Sequence, residues 1–324
     1  MSGFASTSER AEEAVSFDEL GQGLYACAAG GDLNSGVIVG PEGVVVVDAQ
    51  ATPAMAAALQ ERIAEVTDRK VRTIVLTHYH ALRVLGATGY PYHEIICSDA
   101  TRGMIAARGQ QERNSAIGRY PGLFHGRDEI PGLTWPTQTF QGRMSLWLGE
   151  REAQVIHIGR SHTAGDTVVW LPREKVLFAG DTVTFGTTPD CADAHFTDWP
   201  ATIAALRALG AEQMLPGRGR ALRDADEVKA ALDGTEAFTR RLFGIAKAGV
   251  AQGAPLGEVY AEAMAAMRPE FGHWLRFDHV MPFNVSRAYD EAGGLDRPRI
   301  RTAEQDRETL SSLAASRGIA GQGV

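Results

Sequence analysis

The sequence predicts an α/β (α+β) chain: a two-sheet sandwich with outer helices, continued by a helical C-terminal extension. Three observations predict it. Short apolar runs alternate with amphipathic segments up to about residue 222. The earliest runs lie close enough in sequence to pair locally before helices interleave. From Arg223 onward the periodicity is almost wholly helical.

The elements follow in order. Residues 1–15 read as a flexible lead-in. Residues 36–39 and 44–48 form a hairpin turned by Gly40-Pro41-Glu42-Gly43. Met55, Leu59, Ile63 and Val66 recur at helical spacing, so 53–67 is a helix packed on a sheet. Strands are expected at 72–77, 94–97, 144–148, 153–158, 167–171 and 175–178. A helix at 200–209 has Pro200 in its first turn and buries Ile203, Leu206 and Leu209. Helices at 224–248, 256–267, 279–292 and 303–315 make up an extension over 223–316, and residues 318–324 fray. Residues 99–136 read as a long insertion, whose aromatic content places it ordered and near a site in the 16–222 domain.

Composition excludes several classes. The chain has 324 residues, enough for one large domain or two modest ones, and 44% of them are hydrophobic, enough for a substantial core. A net charge of −8 argues against a nucleic-acid or anionic-membrane surface. No apolar run approaches the ~20 residues that cross a bilayer. The N-terminus lacks the basic start and apolar core of a secretory signal. Cys27, Cys97 and Cys191 are odd in number and widely spaced, which fits reduced thiols and a cytoplasmic protein.

The chemistry begins at Thr77-His78-Tyr79-His80-Ala81-Leu82-Arg83, directly after the strand-like run 71–76. Two histidines at i and i+2 at a strand end can aim both imidazoles at one ion. The segment resembles the H-x-H-x-D-H signature of the metallo-β-lactamase superfamily, with Leu82 and Arg83 at its Asp and last His positions. Three further motifs follow in the family's order. Gly159-Arg160-Ser161-His162-Thr163-Ala164-Gly165-Asp166 resembles the motif of the third His, and Phe178-Ala179-Gly180-Asp181 that of the ligand Asp. Pro216-Gly217-Arg218-Gly219 has an arginine where the family has its last His, and Asp48 matches a strand-terminal Asp near the metal loop. The resemblance covers roughly 17–222 and implies a four-layer αβ/βα sandwich.

His78, His80 and His162 are three neutral nitrogen donors, a set that suits a catalytic zinc with an open fourth position. Iron and manganese accept it too. The resemblance makes Asp181 the fourth ligand or the group that orients the attacking water. The alternative, that these are ordinary core or surface histidines, is opposed by four motifs in order. Leu82, Arg83 and Arg218 cannot coordinate a cation, so one divalent metal is expected. Two readings of the arginines stay open: a substitute for the second metal that binds an anionic part of the substrate bidentately, or neutralisers of Asp181 and Asp48 in a decayed site.

Among weaker candidates, His279 and Asn284 are placed with Arg83 and Arg218 as substrate-binding residues, with Arg287 and Tyr289 as further lining. Cys191, Asp193 and His195 lie in the loop after Asp181. His125 belongs to the insertion, His157 reads as a buried core histidine, and His93 and His273 have no pattern behind them. Three functions compete. One is a mononuclear metallohydrolase opening an ester, lactone, thioester or amide by metal-bound hydroxide. The second is a single-iron dioxygenase of the same fold, and the third a catalytically decayed ligand-binding protein. The expected partner is a small, anionic substrate; helical extensions of this kind are also compatible with a homodimer.

Overall fold

The computed structural model describes residues 15–28, 33–92 and 94–320. The expected lead-in up to residue 14, His93 and residues 321–324 lie outside the described residues. One sheet contains β1 (Ser16–Gly21), β2 (Leu24–Ala28), β3 (Ser35–Val39), β4 (Val44–Val47), β5 (Val71–Val75), β6 (Glu94–Ser98) and β7 (Gln138–Phe140) in sequential order. Its first strands pair antiparallel as hairpins; from β4 to β7 pairing is parallel. The second sheet comprises β8 (Arg143–Leu148), β9 (Arg151–His157), β10 (Thr167–Leu171), β11 (Val176–Thr184) and β12 (Gln213–Arg218). Its order is β12-β11-β10-β9-β8, and only β11–β12 is parallel.

Parallel neighbours need crossovers, and helices supply them. They are α1 (Pro53–Ala64), the short α2 (Ala81–Val84) with the 3-10 turn after it, α3 (Asp99–Arg119) and α4 (Trp199–Leu209). Then α5 (Ala225–Ala251), α6 (Leu256–Phe271), α7 (Phe277–Ala292) and α8 (Ala303–Ala320) complete the chain. Strand side chains alternate faces, and the core divides accordingly. On β4, Val45 and Val47 face the second sheet and meet Val169, Leu171 and Phe178, while Val44 and Val46 face α1. On β10, Val168 and Trp170 face α4 and the C-terminal helices. Three apolar layers between four structural ones make the αβ/βα sandwich that the sequence predicts.

Several expectations change. Residues 99–119 are a 21-residue helix rather than an irregular insertion; Ser98 caps it by accepting from Thr101 N. β11 runs past Phe178 to Thr184, carried through a register shift by Gly180 at φ +55°. β1, β2, β7 and β12 were not anticipated: the first is half exposed, and β7 and β12 are short or built around Pro-Gly, so local pattern is weak. α8 continues to Ala320, beyond the expected onset of fraying. No helix among the described residues is long and apolar enough to cross a membrane.

Candidate metal centre

The site forms where the parallel strands of both sheets end, the edge at which backbone groups and loop residues converge in α/β folds. β5 delivers Thr77 to His80. Asp48, at the end of β4 with a left-handed φ of +65°, accepts hydrogen bonds from Thr77 N and Oγ1, both 2.8 Å, and so ties the histidine loop to the neighbouring strand. The loop between β9 and β10 is folded around Asp166, which accepts from Ser161 Oγ (2.6 Å), Thr163 N (2.9 Å) and Thr163 Oγ1 (2.6 Å). That closed turn presents His162. Asp181 comes from β11.

Three imidazoles and one carboxylate meet. His80 Nδ1 lies 2.9 Å from His162 Nε2, and Asp181 Oδ2 lies 3.6 Å from both His78 Nε2 and His162 Nε2. The outward nitrogens are occupied: His78 Nδ1 by Thr77 Oγ1 (2.9 Å), His80 Nε2 by Asp193 Oδ2 (2.9 Å), His162 Nδ1 by the Asp190 carbonyl (2.7 Å). This pattern orients metal-binding histidines. It leaves His78 Nε2, His80 Nδ1 and His162 Nε2 facing inward, with ligand atoms of the triad within 4.8 Å of one another. His78 Nε2 is buried and has no hydrogen bond among the described residues. A buried polar atom left so is costly, and a cation among these donors satisfies it; the residues present fit a divalent metal.

Electrostatics agree at two of the three histidines. Burial, with His162 and His80, pushes His78 well below the ordinary histidine range, and burial lowers His162. Neutral imidazoles are what a metal requires. At His80 burial is outweighed by Glu112 and Asp193, which raise it. Asp181 is buried, yet Arg83, His162, Arg218 and His78 hold its carboxyl far below the usual carboxylate range.

Arg83 stands against the far oxygen of Asp181. Its Nη2 donates to Asp181 Oδ1 (2.5 Å) and to the Gly217 carbonyl (2.7 Å), and its Nη1 to the Asn34 carbonyl (2.7 Å). Asp48 lies 3.6 Å away. The guanidinium is 1% exposed, so it is a clamp within the protein, with neither Nη group left to a substrate; that differs from the expected direct contact. Gly217 makes the approach feasible, since a Cβ there would collide with Asp181 Oδ1. Arg218 is buried on the wall of the same cavity.

The sequence reading missed one wall. Arg108, Glu112, Ser115 and Arg119 on α3 share a face at helical spacing, and Glu112 and Arg119, with Tyr120 just beyond, line the cavity opposite the histidines. Tyr120 donates to Asp190 Oδ2 (2.7 Å), and Arg119 lies 3.5 Å from the same carboxylate. His80, Glu112 and Asp193 also group within 4.8 Å. However, His80 Nε2 already meets Asp193, which Tyr79 OH also contacts, so this group supports His80 from outside. The missed signal was the run of polar residues at 108, 112, 115 and 119: a helix with charges on its buried face covers a polar site.

Other candidates fall elsewhere. His279 packs on Tyr120, ring centroids 5.0 Å apart, one side chain behind the cavity wall. Asn284 is a correction: it is buried with its amide engaged, accepting from Cys191 N (2.7 Å) and donating to the Pro189 carbonyl (2.8 Å), and so braces the loop instead of lining the site. Arg287 binds Glu291 and three backbone carbonyls. Tyr289 OH meets the Ala254 carbonyl. Cys191 is buried within the loop, and His195 is buried with no hydrogen bond to its ring among the described residues. His125 and His273 are exposed, and His157 is half-buried, facing the Ala164 carbonyl at 3.2 Å.

Comparison with known proteins identifies the family. The model of the metallo-beta-lactamase superfamily matches residues 29–217, more than half of the chain, and the chain belongs to that superfamily. It is 24% identical over 183 residues to the metallo-beta-lactamase type 2 of Bacillus cereus, covering 55% of this chain and 63% of that protein's length. Among solved structures it superposes on a stereoselective inverting sec-alkylsulfatase from Pseudomonas sp. with a TM-score of 0.69 at 18% identity, over 86% of this chain and 50% of that one. A metallo-beta-lactamase from Pontibacter korlensis gives 0.55 at 20%, over 70% and 99%. The chain thus spans under two thirds of the first curated relative and half of the alkylsulfatase. At these identities the structural likeness defines the fold.

Proposed function

We propose that the chain is a mononuclear metallohydrolase acting on an ester, lactone, thioester or amide of an anionic small molecule. The observation that carries this is the convergence of His78 Nε2, His80 Nδ1, His162 Nε2 and Asp181 Oδ2, with Arg83 bound to the other Asp181 oxygen where a second cation would otherwise be needed. His78, His80 and His162 would hold the ion, with Asp181 the fourth donor. Zinc is the first expectation from the donor set, with iron or manganese compatible. When bound, the ion supplies Lewis acidity and a water acidified to about pKa 7. Asp181, kept ionised by Arg83, would serve through its Oδ2 either as that fourth donor or as the acceptor that orients the attacking water. α3 and the 190–192 loop exclude bulk solvent. On the cavity wall Arg83, Arg119 and Arg218 balance Glu112, Asp181 and Asp190; a divalent ion then tips the cavity positive, which favours an anionic substrate.

The test is elemental analysis of protein purified without chelator, followed by turnover of lactones, thioesters, aryl esters and alkyl sulfate esters, each as neutral and anionic analogues. One ion per chain and a preference for the anionic member are expected. Two tightly bound ions, or none, sink the mononuclear reading. Oxygen consumption in place of hydrolysis moves the chain to the dioxygenase class.

A further inference from the structure

We propose that the cavity between α7 and α8 is the chamber that receives the non-reacting body of the substrate, adjoining the metal cavity at Ala192. As a substrate chamber it rests on the hydrolase reading; as a ligand site it stands on its own geometry. The space among the histidines is about 20 Å³, room for about one water. An organic substrate needs more. The chamber holds about 430 Å³, within the roughly 300–1,000 Å³ of small-molecule sites. Ala192 lines both spaces. Beside it one layer of side chains separates them: Arg119 on the inner wall and Asp306 on the outer lie 3.5 Å apart. Phe283, on the outer wall, sits between the guanidiniums of Arg119 and Arg301, 5.5 and 4.2 Å from its ring centroid.

The lining states the ligand class. Leu256, Phe283 and Tyr289 give apolar area. Arg299 and Arg301 are already paired, with Asp290 (2.7 Å) and Asp306 (2.5 Å). Paired charges do not call for a second strong anion, but they offer polar edges around an apolar middle. The fitting occupant is an acyl or aryl body of moderate size lying between α7 and α8 with its anionic head toward Ala192; for that head to reach the histidines the Arg119–Asp306 pair must part.

Ser286, half-buried on the chamber wall, permits a direct test. The native cysteines are all buried, so a Ser286→Cys thiol is the one that iodoacetamide should reach. The probe is 4-phenylbutyrate, with acetate as the control lacking a body. At ~10 times its dissociation constant about one chain in ten remains open, so labelling should slow roughly tenfold, with acetate leaving it unchanged. Ser286→Trp fills the chamber and should abolish probe binding by calorimetry while metal content per chain stays as in the native protein. If the probe does not bind, or binds the Ser286→Trp protein equally, or leaves labelling unaffected, the chamber is not a ligand site. Protection together with a silent substrate panel would keep the ligand site and discard the hydrolase reading.

Discussion

Arg83 and His279 show how individual residues here trade burial against charge. Arg83 meets one carboxylate and two backbone carbonyls, all buried. Arg83→Ala removes the partner of Asp181 and leaves the carbonyls unmet, and breaking a buried pair from one side costs about 3–5 kcal/mol. Urea unfolding of metal-free protein should register that loss; a change under about 1 kcal/mol would mean that Arg83 is dispensable to the fold. At His279, burial, then Arg276 and Arg119, push the imidazole down to about 3. The unfolded chain titrates near 6.5. Below that value unfolded protein takes up a proton that folded protein refuses, so stability falls as pH drops from about 6.5 toward 3. The loss is about 1–2 kcal/mol at about pH 5, and His279→Gln should flatten that part of the acid limb.

At the scale of elements, α3 and α8 are joined by a carboxylate. Asp306 accepts from Ser115 Oγ (2.5 Å) and Arg301 (2.5 and 3.0 Å) and lies 3.5 Å from Arg119. Asp306→Ala leaves these donors without their acceptor, so α8 should open locally before the rest of the protein. Amide exchange in residues 303–310 should accelerate by roughly tenfold or more, the equivalent of about 1.4 kcal/mol, while β4 and β10 keep native protection. The β11–β12 contact depends on Gly217. Gly217→Ala drives a methyl group at Asp181 Oδ1, and the carboxylate or the strand must shift. Metal affinity measured by competition with a chelator should fall by roughly 10–100-fold, the range for disturbed supporting groups at metal sites; unchanged affinity would remove Asp181 from the ligand set.

For the molecule as a whole, metal and fold are linked. An ion that binds only the folded chain adds about 2.7 kcal/mol at 100 times its dissociation constant. Zinc should therefore raise the thermal midpoint, EDTA should reverse the effect, and His162→Ala should abolish it. A midpoint insensitive to zinc in the native protein would count against the metal centre. Much of the site was legible beforehand because its ligands sit at fixed offsets from strand ends: His78 and His80 follow β5, and His162 lies in a turn closed by Asp166 three residues after Thr163. Glu112, Arg119 and Tyr120 share α3 and its end, where the polar spacing was readable, but that this face meets the histidine loops and Asp190 is a contact between segments far apart in the chain.

Local chemistry alone specifies the strand alternation, and the resemblance of four ordered motifs to the family implies the three histidines with Asp181 and the replacement of second-site ligands by Leu82, Arg83 and Arg218. Each is a matter of periodicity or of residue type at a motif position. Tertiary structure alone decides that Arg83 is a clamp instead of a substrate contact, because only packing shows Asn34, Gly217 and Asp181 around one guanidinium. It also decides that α3 turns its charged face inward and that α7 and α8 enclose a chamber beside the metal cavity. Such facts depend on contacts between residues as distant as Ser115 and Asp306, and neither periodicity nor residue type encodes which distant face a side chain will meet.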